Sequence, residues 1–185
     1  VGENLTGRLS FHNDILTADD LQLFISNIPV QFGFRGEQQQ DNYKVSLLSQ
    51  GLQNSQELLL SLAPQLEHFA AGPLNWQFKL DLLLAGEGYT YQADLALDLT
   101  DTELLLPAPL AKKSGQSGTV FWSSSGSQDN SVIALTYQDL VFFDASYVHE
   151  QGQIGRAHLS LGDKENAGFA DGFTISANLD KTDFM

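Results

Sequence analysis

The sequence has 185 residues, 42% of them hydrophobic and 17% charged, with a formal net charge of −14 and no cysteine. This composition excludes an intrinsically disordered chain, and no apolar run approaches the roughly 18 residues of a membrane-spanning helix. The acidic balance argues against nucleic-acid binding and against contact with an anionic membrane surface, while the lack of cysteine excludes disulfides and thiol chemistry.

The chain opens at Val1 without a start methionine and stops at Met185 within its strand pattern. No basic–apolar–small signal peptide precedes the first strand-like run. We therefore expect residues 1–185 to be a single β-rich segment of a longer, repetitive protein. Any targeting or anchoring segment would then lie outside it.

Successive side chains of a strand point to opposite faces of its sheet, so alternation of apolar and polar residues predicts strands with one apolar face. The first such runs lie at 5–11, 21–25, 30–34 and 43–47. A polar stretch at 36–42 separates the last two runs and predicts a turn.

A different spacing begins after Asn54, which together with Glu57 has the arrangement of a helix cap. The apolar residues that follow recur at helical spacing, namely Leu58, Leu59, Leu62, Leu66 and Phe69. Pro64 should end the first turns or open a second short helix. We predict one short helical segment near 55–69, which would be either a lid packed over one end of the sheet or a plug for a groove.

The longest alternating runs follow at 76–84 and 89–99, separated by Gly86-Glu87-Gly88. A short connection with glycine between two such runs predicts a β-hairpin. Each strand of this hairpin should have one apolar and one polar face, with Asp81, Asp94 and Asp98 on the polar face.

The second half of the chain continues the same pattern. Further alternating runs cover 119–122, 132–137, 140–148, 154–161 and 173–179. Polar stretches with serine or glycine, which predict loops, cover 114–118, 123–130 and 162–172. Since no long helical crossover intervenes, about ten or eleven strands should pair without parallel neighbours. The predicted fold is mainly β, a long antiparallel meander sheet that is strongly curved into a groove or folded into a sandwich.

No constellation of catalytic residues emerges from the sequence. None of the four histidines has a partner at metal-ligand spacing, and we expect all of them to be solvated. The serine-rich stretches lack the Gly-x-Ser-x-Gly elbow of a nucleophile, and no phosphate-binding glycine loop is present. The acidic residues lack the spaced oxygen ligands of a calcium loop. We therefore predict a protein that is not an enzyme and has no catalytic residues, metal or cofactor.

One stretch carries information beyond composition. Residues 104–115 read Leu-Leu-Leu-Pro-Ala-Pro-Leu-Ala-Lys-Lys-Ser-Gly and resemble the Leu-Pro-x-Pro-Leu-x-Lys stretch of YhdP-like proteins, a branch of the AsmA-like family. Residues 72–76 read Gly-Pro-Leu-Asn-Trp, similar to the family's Gly-Pro-x-x-Trp entry to a long strand. The strand at 94–100 and the short strands ending at 173–177 also resemble the family. Because proline has no amide donor, the Pro-containing stretch should leave the sheet or run along its edge.

The resemblance implies a periplasmic β-groove protein of a Gram-negative bacterium that is anchored to the inner membrane and moves phospholipid toward the outer membrane. This segment would be one section of the groove and would contact phospholipid acyl chains without a cofactor. It would reach the membrane only through parts outside the segment. The candidate lipid-binding residues are Trp76, Phe78, Leu80, Leu82, Tyr91, Leu95 and Leu97.

The alternative is a closed β-sandwich that serves as a spacer or protein-binding module of an envelope or surface protein. The two possibilities differ in whether the apolar face of the sheet is open or packed shut, which periodicity does not decide. An isolated groove section would also expose unpaired strand edges, so it would be able to associate edge to edge with a second copy.

Overall fold

The computed structural model describes residues 2–25, 28–62, 64–163 and 172–179. Within these residues, twelve strands form one large sheet and two strands of two residues each form a second. The strands are β1 (Gly2–Thr6), β2 (Ser10–His12), β3 (Ile15–Ile25), β4 (Ile28–Gln39), β5 (Asn42–Asn54), β6 (Ala70–Ala71), β7 (Pro73–Ala85), β8 (Gly88–Asp98), β9 (Glu103–Leu104), β10 (Thr119–Ser127), β11 (Asn130–Tyr137), β12 (Val141–Val148), β13 (Gln153–Gly162) and β14 (Gly172–Asn178). Helix α1 covers Ser55–Leu62, and a 3-10 helix covers Pro64–Phe69.

The large sheet follows the order of the chain, β1-β3-β4-β5-β7-β8-β10-β11-β12-β13-β14, with β2 also paired with β3. This order confirms the mainly β meander, and the sheet is open, with β1 and β14 at its ends. One expectation is wrong, because β13 and β14 run parallel. Alternation assigns side chains to faces but carries no information about strand direction, so the pattern at 173–179 fits either pairing.

Two stretches that predicted turns or loops are largely strand. The serine-rich part of 123–130 continues β10 as far as Ser127, because its residues pair with both β8 and β11. Packing between neighbouring strands outweighs local composition here. The polar stretch at 36–42 also belongs mostly to strands, since β4 runs to Gln39 and β5 starts at Asn42. The predicted loop at 162–172 lies mainly outside the described residues.

The first predicted strand is divided in the structure, whereas the predicted hairpin and helix cap are present. The run at 5–11 is divided between β1 and β2. The hairpin of β7 and β8 is confirmed, with Leu84 opposite Tyr89 and a tight turn at Gly86 and Glu87. The helix cap is also confirmed, since the Oδ1 atom of Asn54 accepts hydrogen bonds from the amides of Gln56 (2.9 Å) and Glu57 (3.3 Å).

Helix α1, the 3-10 helix and the segment 99–118 cover one end of the large sheet, and we call this group the end cap. Beneath it lies a small core in which Leu74, Leu99 and Tyr137 are buried. Leu58 of α1 packs against this core. Burial raises the pKa of the Tyr137 hydroxyl. The described structure therefore agrees with a lid over one end of the sheet.

Two buried polar side chains hold the end cap in place. Thr102 is fully buried, and its hydroxyl donates a hydrogen bond to the carbonyl of Pro73 at 2.7 Å. The ammonium of Lys112 donates to the carbonyls of Thr100 (3.3 Å), Lys113 (3.1 Å) and Gln116 (2.8 Å). Burial lowers the pKa of Lys112, although nearby carboxylates oppose this effect. Among the described residues, no helix is long and apolar enough to cross a bilayer.

Candidate functional site

The structure places all the candidate residues of the central hairpin on one face of the sheet. Facing pairs join Trp76 to Leu97, Phe78 to Leu95 and Leu82 to Tyr91. Leu80 lies opposite Ala93 between these pairs. Each of the candidate side chains is half-buried, which is the state of an apolar face that is only partly covered. We call this side of the sheet the inner face.

The apolar surface extends far beyond this hairpin. One row of directly facing residues crosses nine strands, and we call it the central row. Its members in spatial order are Phe32, Ser49, Phe78, Leu95, Trp122, Leu135, Phe143, Leu159 and Ile175. Adjacent strands lie about 4.8 Å apart, so the row is about 38 Å long. Ser49 is its one polar member, and its hydroxyl is occupied by a hydrogen bond to the carbonyl of Gln31.

Nothing in the described part of the chain covers this row with a second sheet of similar size. Among the residues that the structure describes, the only other sheet consists of β6 and β9, two residues each, beside the end cap. At the far end of the row, the Ile175 side chain is 62% exposed, as is the neighbouring inner-face residue Phe173. Of the two arrangements left open by the sequence, the described residues form a curved open sheet and not a folded sandwich.

A cavity of about 410 Å³ lies at the end of the inner face next to the end cap. Its lining residues are Leu23, Val30, Phe32, Leu47, Ser49, Gln53, Leu58, Trp76, Phe78, Leu95 and Leu97. Residues from β3 and β8 can line one cavity only if the sheet between them is strongly curved. Helix α1 closes this end through Leu58, which belongs to both the cavity and the core under the end cap.

The cavity contains four of the candidate residues and several that sequence reasoning did not assign to a site. Trp76, Phe78, Leu95 and Leu97 line it, whereas Leu80, Leu82 and Tyr91 lie outside it on the same face. The additional residues from β3, β4 and β5 have the alternation of apolar strand residues. Alternation shows which of them share a face, but only the curvature of the sheet brings them together.

Polar groups replace the apolar ones at the strand ends opposite the end cap. The hydroxyl of Tyr91 lies 2.9 Å from Oγ of Ser124 and 2.6 Å from Oγ of Ser131. Ser131 Oγ lies 2.8 Å from Nε2 of His149, whose Nδ1 lies 2.9 Å from the carbonyl oxygen of Gln128. The expectation that every histidine is solvated is therefore wrong for His149, and His158 is also half-buried, between Thr174 and Ser176. Both depend on partners from a neighbouring strand or turn, which local sequence does not reveal.

The outer face of the hairpin has the opposite character. Asp81, Asp94 and Asp98 lie on it as predicted. The ammonium of Lys79 lies 2.7 Å from a carboxylate oxygen of Asp81, and the Ser46 hydroxyl donates to the other oxygen at 2.6 Å. The hydrogen bond from Lys79, and then that from Ser46, lowers the pKa of Asp81. No group of three or more potential metal ligands occurs among the described residues.

With this geometry established, comparison with known proteins identifies the family. A family model described as "YhdP protein" matches residues 3–185. The chain belongs to the YhdP family. Neither the curated proteins nor the solved structures that were compared gave a match. The resemblance of the sequence to YhdP-like proteins is therefore confirmed over nearly its whole length.

The Pro-containing stretch that carries the YhdP resemblance lies in the end cap and not on the inner face. Its flanks are joined by an isolated bridge between Leu104 and Lys112. Between them, the amide of Leu110 donates to the carbonyl of Pro107 at 3.0 Å, which makes a compact turn. The prediction that the prolines leave the sheet is confirmed. The buried ammonium of Lys112 gives this stretch a structural role in the cap.

Proposed function

We propose that this chain is a section of a lipid-conducting groove. It takes part, without enzymatic activity or a cofactor, in phospholipid transport between the inner and outer membranes. The protein would be periplasmic and anchored to the inner membrane of a Gram-negative bacterium, with membrane contact made outside this section. Membership of the YhdP family supports a role in lipid transport. The central row, apolar over about 38 Å and covered by no second sheet of the described residues, is the observation that carries the proposal.

An apolar row of this kind suits acyl chains. Each methylene transferred from water to an apolar surface contributes roughly 0.8 kcal/mol, so a chain lying on the inner face gains free energy along its whole length. The row crosses the strands, so its length depends on the number of strands and not on the 7–13 residues of any one of them. The head groups would remain at the strand ends, where the inner face becomes polar.

The strands at the two edges of the sheet are candidate sites for pairing with another copy of this section. β14 lies at one end of the strand order, and β1 lies at the other, with β2 paired beside it on β3. An edge strand presents unpaired amide and carbonyl groups, which favours pairing with another strand. Edge-to-edge association of the isolated section is accordingly part of the proposal. No observation favours the alternative of a closed spacer domain.

Site-specific photocrosslinking in the full-length protein, in living cells, tests the proposal. A photoreactive residue is placed at Leu95 or Phe143 on the central row, and at the adjacent outer-face residues Asp94 or Asp144 as matched controls. Recovery of phospholipid from both inner positions, with little from the outer ones, is expected. Absence of lipid at all four positions would favour a spacer domain. Equal lipid on both faces would contradict a groove lined by the inner face.

A further inference from the structure

The polar residues opposite the end cap form one connected group on the inner face. We call Tyr91, Ser124, Ser131, Tyr147 and His149 the terminal cluster. Ser124 and Ser131 are more than nine-tenths buried, and the hydrogen bonds described above join them through Tyr91 and on to His149. Tyr147 faces Ser131 on the next strand, and its ring centroid lies 5.5 Å from that of His149.

The direction of each hydrogen bond in the terminal cluster follows from its partners. The Gln128 carbonyl can only accept, so His149 donates to it from Nδ1. In the tautomer with its hydrogen on Nδ1, Nε2 accepts the single hydrogen of Ser131. The Tyr91 hydroxyl must then donate to Ser131, and Ser124 must donate to Tyr91. The hydroxyl hydrogens of Tyr91, Ser124 and Ser131 are thereby used, so the oxygens of these three residues have lone pairs to offer a ligand but no hydrogen.

The residues around the terminal cluster also favour a ligand that donates hydrogen bonds and carries a positive charge. The rings of Tyr91 and Tyr147 lie on the inner face, and the face of a tyrosine ring attracts cations. The turns at the same strand ends carry Glu87, Asp129 and Glu150 and contain no lysine or arginine. A negative potential at this end favours a cationic group and disfavours a net anionic one.

We propose that the terminal cluster binds the ammonium of a lipid head group, and that the groove therefore prefers zwitterionic aminophospholipids to phospholipids without an amine. This inference rests on the proposed lipid-conducting function and adds a head-group preference to it. Leu95 of the central row is four positions after Tyr91, which corresponds to about 13 Å along the strand. The glycerol and phosphate of the lipid span this interval, with the acyl chains on the row and the ammonium at the cluster.

The experiment uses the purified full-length protein and two photoactivatable lipids with identical diazirine-bearing chains, phosphatidylethanolamine and phosphatidylglycerol. The ratio of labelling by the two lipids at equal concentration is the readout, and labelling by phosphatidylglycerol alone reports groove binding separately. The wild type is expected to favour phosphatidylethanolamine by roughly fivefold, the size of one cation–aromatic contact. Tyr91→Phe combined with Tyr147→Leu should bring the ratio close to one by lowering the labelling with phosphatidylethanolamine, while the labelling with phosphatidylglycerol stays near the wild-type level. Tyr137→Phe, in the core beneath the end cap, is the matched control and should keep the wild-type ratio.

Each outcome decides a separate question. Equal labelling by both lipids in the wild type would overturn the head-group preference and leave the lipid-conducting function standing. No labelling by either lipid would overturn both proposals. Free ethanolamine is added in large excess in a further arm and should lower the preference by competing for the cluster. A preference that persists in saturating ethanolamine would show that the ammonium is not the group recognised and would overturn the inference. Tyr91→Phe alone, which keeps the ring, should lower the ratio in part and provides a second variant if the double variant folds poorly.

Discussion

Trp76 lies across Gly51, the residue that faces it on the neighbouring strand. A Cβ atom on Gly51 would stand 2.9 Å from both Cζ2 and Nε1 of the indole ring, closer than packed atoms approach each other. The ring therefore occupies space that any side chain at position 51 would need. Trp76 lines the cavity beside the end cap, so this contact fixes part of the shape of the inner face.

Gly51→Ala should consequently destabilise the protein by about 1–3 kcal/mol, the usual cost of overpacking. Urea denaturation measures the change in the free energy of unfolding. Gly86→Ala is the matched control, because a Cβ atom at position 86 would meet nothing within 4 Å. If the two alanine variants are equally stable, the indole does not lie over Gly51 in solution.

A charge on the central row should interrupt the lipid path. Phe143→Asp places a carboxylate between Leu135 and Leu159, where a charge in an apolar phase costs about 2.5–3.5 kcal/mol. Lipid crosslinking is measured at Leu95 and at Leu159, which lie on opposite sides of the substitution. It should fall tenfold or more at the position that lipid reaches only after passing residue 143. Phe121→Asp is the control, since Phe121 is on the outer face and 57% exposed. Equal crosslinking in both variants would rule out a path along the row.

The buried ammonium of Lys112 should matter more than its exposed neighbour of the same charge. Lys112→Met removes the three hydrogen bonds of the ammonium, although the carbonyls of Thr100 and Lys113 keep backbone amides as donors. Losing the hydrogen bonds of a charged group should cost about 1–3 kcal/mol in all. Hydrogen exchange over 99–118 should accelerate in this variant, and the free energy of unfolding should fall. Lys113→Met removes an exposed charge and should change stability by about 0.5 kcal/mol or less. Comparable effects of the two substitutions would show that Lys112 does not hold the cap.

The sequence predicts the faces of the sheet better than it predicts the site. Alternation with a period of two places Trp76 and Leu97 on one face, because neighbouring side chains of a strand cannot share a face. It cannot bring Leu23 or Leu58 to the same cavity, since that depends on how strongly the sheet curves. The strength of the curvature is a property of the whole sheet and not of any one run of residues.

Polar residues are the main source of error in the sequence reasoning. Ser124 looks like a loop residue in a serine-rich stretch, and Ser131 lies between that stretch and the next predicted strand, yet both are buried strand residues bonded to Tyr91. His149 resembles a solvated residue at a strand end, yet it is half-buried and bonded to Ser131. Each of these side chains is satisfied by a partner from another strand, and such partners can be recognised only when the register is known.

The outer face should contribute a pH dependence through Asp81. Hydrogen bonds from Lys79 and Ser46 lower the pKa of this carboxyl in the folded protein below its ordinary value of about 3.9. Its contribution to stability is therefore complete above that value and is lost as the pH falls through the lower, folded pKa. Because Lys79 is 57% exposed, the contribution should not exceed about 1 kcal/mol. Carboxyl-carbon NMR titration should show the pKa of Asp81 rising in Lys79→Met and rising less in Ser46→Ala, while Asp81→Asn should flatten the acid limb of the stability profile. A pKa that stays unchanged in Lys79→Met would mean that the ion pair does not form in solution.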